Sequence, residues 1–296
     1  MSEQIAQANG IEIAFETFGS PDDPAVLLIM GLGAHLIHWE PEFCTMLADR
    51  GYHVIRFDNR DVGHSTKMED APVPNIGALL SGDATSASYT LDDMANDAIG
   101  LLDYLEIDRA HLVGASMGGM IAQTMAVRHA ARVLSLVSIM STTGDRSVGQ
   151  ALPHALAVLM TPPPEDRAKY IDFHVNAFKT IGSPGFDIDE DFLRQRGAAT
   201  YDRSFYPVGV ARQLAAIIAS GDRTPSLAEI SVPTVVIHGR DDPLIQVSGG
   251  EATARAIPDA ELVVIPGMGH DVPRGVWERI VEAIVANAER AEARSL

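Results

Sequence analysis

One seven-residue stretch decides how this sequence is expected to fold: Val113-Gly114-Ala115-Ser116-Met117-Gly118-Gly119. It matches the G-x-S-x-G pattern, in which a serine lies on a sharp turn between a β-strand and an α-helix. Glycines two positions before and after the serine allow neighbouring backbone segments to approach where a Cβ atom would clash. Only three positions of the pattern are fixed, so the surrounding sequence must supply the strand and the helix. If it does, Ser116 is a candidate nucleophile.

The flanking residues have the order that the pattern requires. Residues 110–114 read as a strand before the serine, and residues 117–128 read as a helix after it. A helix over residues 91–105, with Thr90 as its N-cap, precedes this unit, and residues 133–140 predict another buried strand. The alternation of buried strands and helices predicts an α/β protein with a mostly parallel sheet and helices on both faces.

The first third of the chain continues this alternation. Residues 11–18 alternate apolar and polar side chains, as on a half-buried strand that opens the fold in a hairpin or meander. Residues 25–30 form an unbroken apolar run, which is typical of a strand covered on both faces. Residues 40–50 read as a helix that Gly51 closes, and residues 53–57 as the next strand.

Two loops follow this strand. Residues 58–65 are polar, and we expect Arg60 to pair with a carboxylate in a structural network instead of taking part in catalysis. Residues 71–88 are rich in Pro, Gly, Ser and Ala, which predicts an irregular excursion over the surface.

The strand pattern stops after Ser141 and resumes only near residue 233. Helical patterns at residues 151–160, 170–179 and 208–218 occur without strands between them. We therefore predict an α/β core formed by residues 1–144 and 226–296, with residues 145–225 inserted as a helical lid. The returning core elements are strands at residues 233–238 and 261–265 and helices at residues 250–257 and 277–291.

A serine hydroxyl needs a positioned base, and that base needs a third group to orient it and stabilise its positive charge. His270 follows the strand at residues 261–265 through a glycine-containing corner, and Asp242 follows the strand at residues 233–238. The carboxyl ends of parallel strands meet at one edge of the sheet, so Ser116, Asp242 and His270 are predicted to converge there. Asp241 and, more remotely, Asp145 are the alternatives for the acid.

These residues resemble the α/β-hydrolase family, whose members carry the serine, the acid and the histidine in this order. The acid three residues after Gly239 fits the family spacing, which favours Asp242 over Asp241. Within the family the chain is similar to the carboxylesterases of the aclacinomycin methylesterase group, through Met30-Gly31 and residues 58–63 and 266–270. Many relatives carry histidine where this chain has Met30, so the anchoring of the following loop differs here.

The negative charge that develops on an ester oxygen during acyl transfer is usually stabilised by two backbone amides. The amide of Met117, directly after the serine and at a helix start, is one predicted donor. The resemblance points to the amide of Leu32, in the loop after residue 30, as the other. Main-chain donors leave both side chains free to be apolar, and we expect them to line the acyl pocket.

Composition indicates which partners the protein can have and in which cellular compartment it works. The chain has 296 residues with a formal net charge of −18, which argues against nucleic acid as a partner. Cys44 has no second thiol to pair with, and no signal-like start or membrane-length apolar run is present, so we predict a cytoplasmic protein. No cofactor and no metal ligand set are predicted, and no oligomeric state is assigned.

The predicted activity is hydrolysis of a small, apolar carboxylic ester through an acyl-enzyme on Ser116. Perhydrolase, thioesterase or lactonase chemistry on the same triad is the alternative, because only pocket shape separates them. A slow ligand-binding receptor with the same fold is a further alternative. Serine in place of aspartate at the turn argues against dehalogenases and epoxide hydrolases. In residues 145–225, Leu156, Val158, Leu159 and Met160 either line the substrate site or pack the lid onto the sheet.

Overall fold

An eight-stranded sheet forms the centre of the molecule in the computed structural model, which describes residues 2–294. The strands in chain order are β1 (Gln4–Ala8), β2 (Ile11–Phe18), β3 (Ala25–Ile29), β4 (His53–Phe57), β5 (Ala110–Ala115), β6 (Val133–Ile139), β7 (Thr234–Gly239) and β8 (Glu261–Ile265). Their order across the sheet is β1-β2-β4-β3-β5-β6-β7-β8. Only the β1–β2 and β2–β4 pairs are antiparallel, so the predicted mostly parallel sheet is confirmed.

Strand β1 was not predicted. It pairs with β2 through a two-residue turn in which Asn9 and Gly10 have φ angles of 49° and 76°. Asn-Gly is a strong hairpin signal because both residues tolerate positive φ. The strand before it escaped prediction because its sequence, Gln-Ile-Ala-Gln-Ala, is short and only half apolar.

The helices surround this sheet. Within residues 2–294 they are α1 (Pro41–Ala48), α2 (Ile76–Leu80), α3 (Leu91–Tyr104), α4 (Met117–Arg128), α5 (Pro153–Met160), α6 (Arg167–Ile181), α7 (Glu190–Arg203), α8 (Pro207–Ser220), α9 (Thr224–Leu227), α10 (Val247–Ala256) and α11 (Trp277–Ala293). The eight helices that the sequence predicted are present, with ends displaced by about three residues or fewer. None of the helices in the described part of the chain is long and apolar enough to cross a membrane.

The segment at residues 71–88 is more regular than its composition predicted. It contains α2 and a single 3-10 turn at Ala84–Ser86. Local caps explain the difference: the Asn75 side chain accepts the Ala78 amide at 3.0 Å, and the Asp83 side chain accepts the Thr85 amide at 3.0 Å. Such side chains satisfy the free amides of a short helical turn.

The core lies on both faces of the sheet, and β3 shows how the chain divides its side chains between them. Leu27 and Ile29 belong to the cluster packed under α3 and α4, whereas Val26 and Leu28 belong to the cluster under α1 and α11. This alternation follows from the two-residue period of a strand. Cys44 is buried in the second cluster, and burial raises the pKa of its thiol to about 12, which fits a packing role.

Helices α5 to α9 lie between β6 and β7, although those two strands are direct parallel neighbours in the sheet. The chain therefore leaves the sheet after β6, forms five helices without a strand, and returns to the adjacent position. This is the connection through which the helical segment at residues 145–225 reaches the carboxyl edge of the sheet. Residues 1, 295 and 296, which the sequence assigns to the core, lie outside the described residues.

Candidate active site

Ser116 occupies the corner between β5 and α4. Its φ and ψ angles are 55° and −119°, a backbone conformation that non-glycine residues rarely adopt. A Cβ atom on Gly118 would lie 2.0 Å from the Ile29 carbonyl oxygen, and one on Gly114 would lie 2.1 Å from the Gly118 oxygen. Both glycines of the pattern are therefore required by close backbone approach, as the sequence predicted.

His270 and Asp242 lie beside this serine. Nε2 of His270 is 3.0 Å from Oγ of Ser116, and Nδ1 of His270 is 2.7 Å from Oδ2 of Asp242. His270 and Asp242 are 8% and 3% exposed, so water is largely excluded from their contact. The structure brings together the three residues that the sequence selected, at the carboxyl ends of β5, β7 and β8.

The second oxygen of Asp242 is held by the backbone. Oδ1 accepts the amides of Leu244 and Ile245 at 2.8 and 2.9 Å, which fixes the carboxylate in the plane that presents Oδ2 to the histidine. The two alternative acids have other contacts. Asp241 accepts the Gly267 amide at 2.7 Å, and Asp145 accepts an amide in its own turn. Among these three carboxylates, only Asp242 contacts the imidazole.

His238, at the end of β7, is a neighbour of Asp242 that the sequence did not single out. Its side chain is fully buried, its Nε2 is 2.7 Å from the Ile245 carbonyl oxygen, and it lies 3.6 Å from Oδ2 of Asp242. Burial lowers the pKa of His238, so the imidazole is neutral at pH 7 and adds no charge that would compete with His270 for the carboxylate.

The amides of Leu32 and Met117 are available to an incoming oxygen. Neither donates a hydrogen bond to another residue within the described chain. Leu32 lines the cavity over Ser116, as expected. The side chain of Met117 does not: it is fully buried in the core under α4, because the first turn of that helix faces the sheet. The expectation that both side chains line the pocket is wrong for Met117.

The loop after β3 is anchored without the histidine that many relatives carry. Nδ2 of Asn59 donates to the Met30 carbonyl oxygen at 3.0 Å. Oδ1 of Asp58 accepts the Leu36 amide at 2.6 Å. The polar loop after β4 therefore holds both ends of the loop that carries Leu32.

Gln213 of α8 adds a third anchor, which sequence reasoning missed. It is fully buried, its Oε1 accepts the Gly33 amide at 2.9 Å, and its Nε2 donates to the Arg60 carbonyl oxygen at 2.8 Å. Arg60 itself forms a two-pronged ion pair with Asp97 at 2.6 and 2.7 Å, so its predicted structural role is confirmed. The two hydrogen bonds of Gln213 join residues that are far apart in sequence, which is why local patterns gave no signal for it.

A cavity of about 390 Å³ opens directly over Ser116 and His270. Its walls are mainly apolar and include the loop after β3 and helices α4, α5, α6, α7 and α8. Val158 and Leu159 line it, whereas Leu156 and Met160 are 46% and 48% exposed, so the four residues of α5 that the sequence singled out divide between the cavity and the surface. Three charged residues also line it, none of them predicted: Glu40, Arg196 and Asp271.

In the described part of the chain, no group of three or more His, Cys, Asp or Glu residues is arranged to hold a metal ion.

The fold and the sequence together define the protein family to which this chain belongs. The chain belongs to the α/β hydrolase fold family, whose sequence pattern matches residues 24–273. The predicted family and fold are therefore confirmed.

Several relatives of this chain have named activities. The chain is 29% identical to rhodomycin D methylesterase of Streptomyces sp. (strain C5), over 98% of this chain and 99% of the relative. It is 28% identical to rhodomycin D methylesterase of Streptomyces peucetius, over 93% and 94%. It is also 26% identical to 3-oxoadipate enol-lactonase 2 of Acinetobacter baylyi, over 87% and 86%. The predicted similarity to the methylesterase group is confirmed by the first two.

Solved structures share the fold at lower identity. A meta-cleavage product hydrolase of Pseudomonas fluorescens IP01 superposes with a TM-score of 0.76 at 22% identity, covering 97% of this chain and 98% of that one. A thermophilic esterase of Thermogutta terrifontis superposes with a TM-score of 0.73 at 24% identity, covering 98% and 99%. These likenesses extend over the helical segment as well as the sheet.

Proposed function

We propose that this chain is a carboxylic ester hydrolase that works through an acyl-enzyme intermediate on Ser116. The observation that carries the proposal is the hydrogen-bonded line from Ser116 through His270 to Asp242, with contacts of 3.0 and 2.7 Å, beneath an apolar cavity. A nucleophile, a base within hydrogen-bond reach and a carboxylate that orients the base are what acyl transfer requires.

The reaction proceeds in two halves. His270 Nε2 accepts the Ser116 Oγ proton as the oxygen attacks the ester carbonyl carbon, and the resulting imidazolium donates that proton to the departing alkoxide. Asp242 keeps Nδ1 protonated and stabilises the positive ring without taking the proton. Water then enters, loses a proton to Nε2 and attacks the acyl carbon, and Ser116 recovers its proton as the carboxylic acid leaves.

The tetrahedral oxyanion of each half-reaction is assigned to the amides of Leu32 and Met117. Both amides lack a hydrogen-bond partner in the described chain, and Met117 lies at the N-terminus of α4, where the helix dipole favours negative charge. Removing one such donor typically costs on the order of 10²- to 10³-fold in rate. The triple anchoring of the loop after β3 supports a donor that is fixed before substrate binds.

We assign residues 145–225 as a cap over this site, inserted between the two parts of the hydrolytic core at residues 1–144 and 226–296. Helices α5, α6, α7 and α8 all contribute side chains to the cavity wall. The segment that they form, residues 145–225, adds no strand to the sheet. The cap therefore determines which acyl and alcohol groups fit. An apolar cavity of about 390 Å³ suits a small organic ester.

Methyl esters of carboxylic acids with a mainly apolar chain are the proposed substrate class, because the relatives with matching length are named methylesterases. Lactone opening is the second candidate, since another relative is named an enol-lactonase and a lactone needs the same triad. The two differ in the leaving group, which departs as methanol in one case and stays attached to the acyl chain in the other.

The test is a substrate profile of the purified protein. We expect methanol release from methyl esters of apolar acids, following saturation kinetics, with weaker activity on lactones of matched size. Gas chromatography of methanol and of the acid product measures both reactions. A preference for lactones would favour the second candidate, and absence of turnover on esters and lactones alike would contradict the proposed function.

A further inference from the structure

Arg196, on α7, is a half-buried cation at the wall of the active-site cavity. It lines the cavity that contains Ser116 and His270, and also a neighbouring cavity of about 340 Å³. Its guanidinium carbon lies 4.3 Å from the ring centre of Phe178 and 5.2 Å from that of Phe192. The two rings fix the position of the guanidinium, but they accept none of its in-plane N–H bonds.

No protein group in the described chain satisfies this guanidinium. It donates no hydrogen bond to any described residue, it has no carboxylate oxygen within 4.0 Å, and its Nε is buried without a partner. Burial lowers the pKa of Arg196, but a guanidinium stays charged at neutral pH. Arg60 and Arg212 show the ordinary arrangement in this chain, because each pairs with a buried carboxylate.

Two carboxylates lie in the same cavity wall, and each is engaged elsewhere. Glu40 accepts two hydrogen bonds from Arg274, at 2.8 and 3.2 Å. Asp271 accepts a short hydrogen bond from the Ser183 hydroxyl. Their negative charges act to raise the pKa of Arg196 at longer range, but they accept none of its N–H groups. A guanidinium with a buried, unpartnered Nε and no protein acceptor for its other N–H groups is costly at a cavity wall unless a ligand completes it.

We infer that Arg196 binds a carboxylate of the substrate, so that the preferred esters carry a free acid group at the end remote from the scissile bond. A guanidinium and a carboxylate match as two parallel N–H···O bonds, which a neutral acceptor cannot reproduce. This inference deepens the proposed function and rests on it. It names the substrate class as half-esters of dicarboxylic acids, with the ester carbonyl at Ser116 and the carboxylate at Arg196.

The experiment compares two matched series of methyl esters. One contains monomethyl esters of straight-chain dicarboxylic acids from adipate to dodecanedioate, and the other contains methyl esters of monocarboxylic acids of the same chain lengths. We expect the wild type to prefer at least one half-ester by about 10- to 100-fold in kcat/KM, as for a buried hydrogen bond to a charged group. In Arg196→Met, that preference is expected to disappear through a higher KM for the half-esters, with a smaller loss of kcat/KM on the neutral esters.

Arg194→Met is the matched control, because Arg194 lies on the same helix but is exposed and pairs with Asp172 at 2.8 Å. It should keep the wild-type preference. Competitive inhibition of the wild type by the free dicarboxylates, compared with their diamides, tests the site without any variant, and the dicarboxylates are expected to inhibit more strongly.

Three results would overturn the inference. The wild type could hydrolyse neutral esters without preferring any half-ester, which leaves the proposed function standing and removes the carboxylate site. Arg196→Met could slow both series equally, which would make the side chain structural. Failure of the wild type on both series would remove the inference together with the proposed function.

Discussion

Replacing Ser116 by alanine is expected to lower kcat by on the order of 10⁴- to 10⁶-fold on the methyl ester that the wild type hydrolyses best. Without Oγ no acyl-enzyme can form, and His270 is left 3.0 Å from where the nucleophile was. Fixed-time assays of methanol release by the purified protein measure the decrease in kcat. The amides of Leu32 and Met117 remain, so a small residual rate above water is expected.

The fold should survive this change. Alanine at φ 55° has a backbone strain similar to that of serine, and Ser116 is not part of the packed core, so we expect the free energy of unfolding to change by about 1 kcal/mol or less. Ser147→Ala, at an exposed serine, is the matched control and should keep full activity. Retention of more than a tenth of the wild-type kcat by Ser116→Ala would rule out Ser116 as the nucleophile.

The second large effect is expected for Asp242→Asn, with a loss of about 10⁴-fold in kcat. Asparagine can still accept the Leu244 and Ile245 amides through its oxygen, which turns its NH₂ group toward Nδ1 of His270. An NH₂ donor there favours the tautomer with its proton on Nε2, which cannot accept the serine proton. The same methanol assay measures the loss.

Asp241→Asn is its control, one position earlier and with the same change of charge. Asp241 contacts the Gly267 amide and not the imidazole, so we expect less than about a tenfold change in kcat. If Asp241→Asn lost more activity than Asp242→Asn, the assignment of the acid would be reversed.

The sheet and its edge were predictable because their signals are local. Strand β5 is buried along its whole length, and a mainly apolar strand that runs into Gly-x-Ser-x-Gly has few structural solutions. Asp242 and His270 were predictable because each follows a strand of the same kind. The family spacing then separated Asp242 from Asp241, a choice that side-chain chemistry alone left open.

The rest of the site depends on contacts between distant segments. Gln213 reaches Gly33 across 180 positions, and Arg196 lines the cavity over Ser116 only because the chain leaves the sheet after β6 and folds back over it. Helical periodicity predicts that these segments are helices but not which side faces the cavity. The predicted cytoplasmic location stays a prediction.

Covalent labelling by an organophosphonate tests most directly the claim that Ser116 is an activated nucleophile. The reagent should add one phosphonyl group to the wild-type protein, with the mass increase on the peptide that contains Ser116 and with loss of esterase activity at the same rate. Ser116→Ala should remain unlabelled under the same conditions. Full loss of activity with the adduct on another residue, or an active enzyme that takes up no label at all, would contradict the assignment.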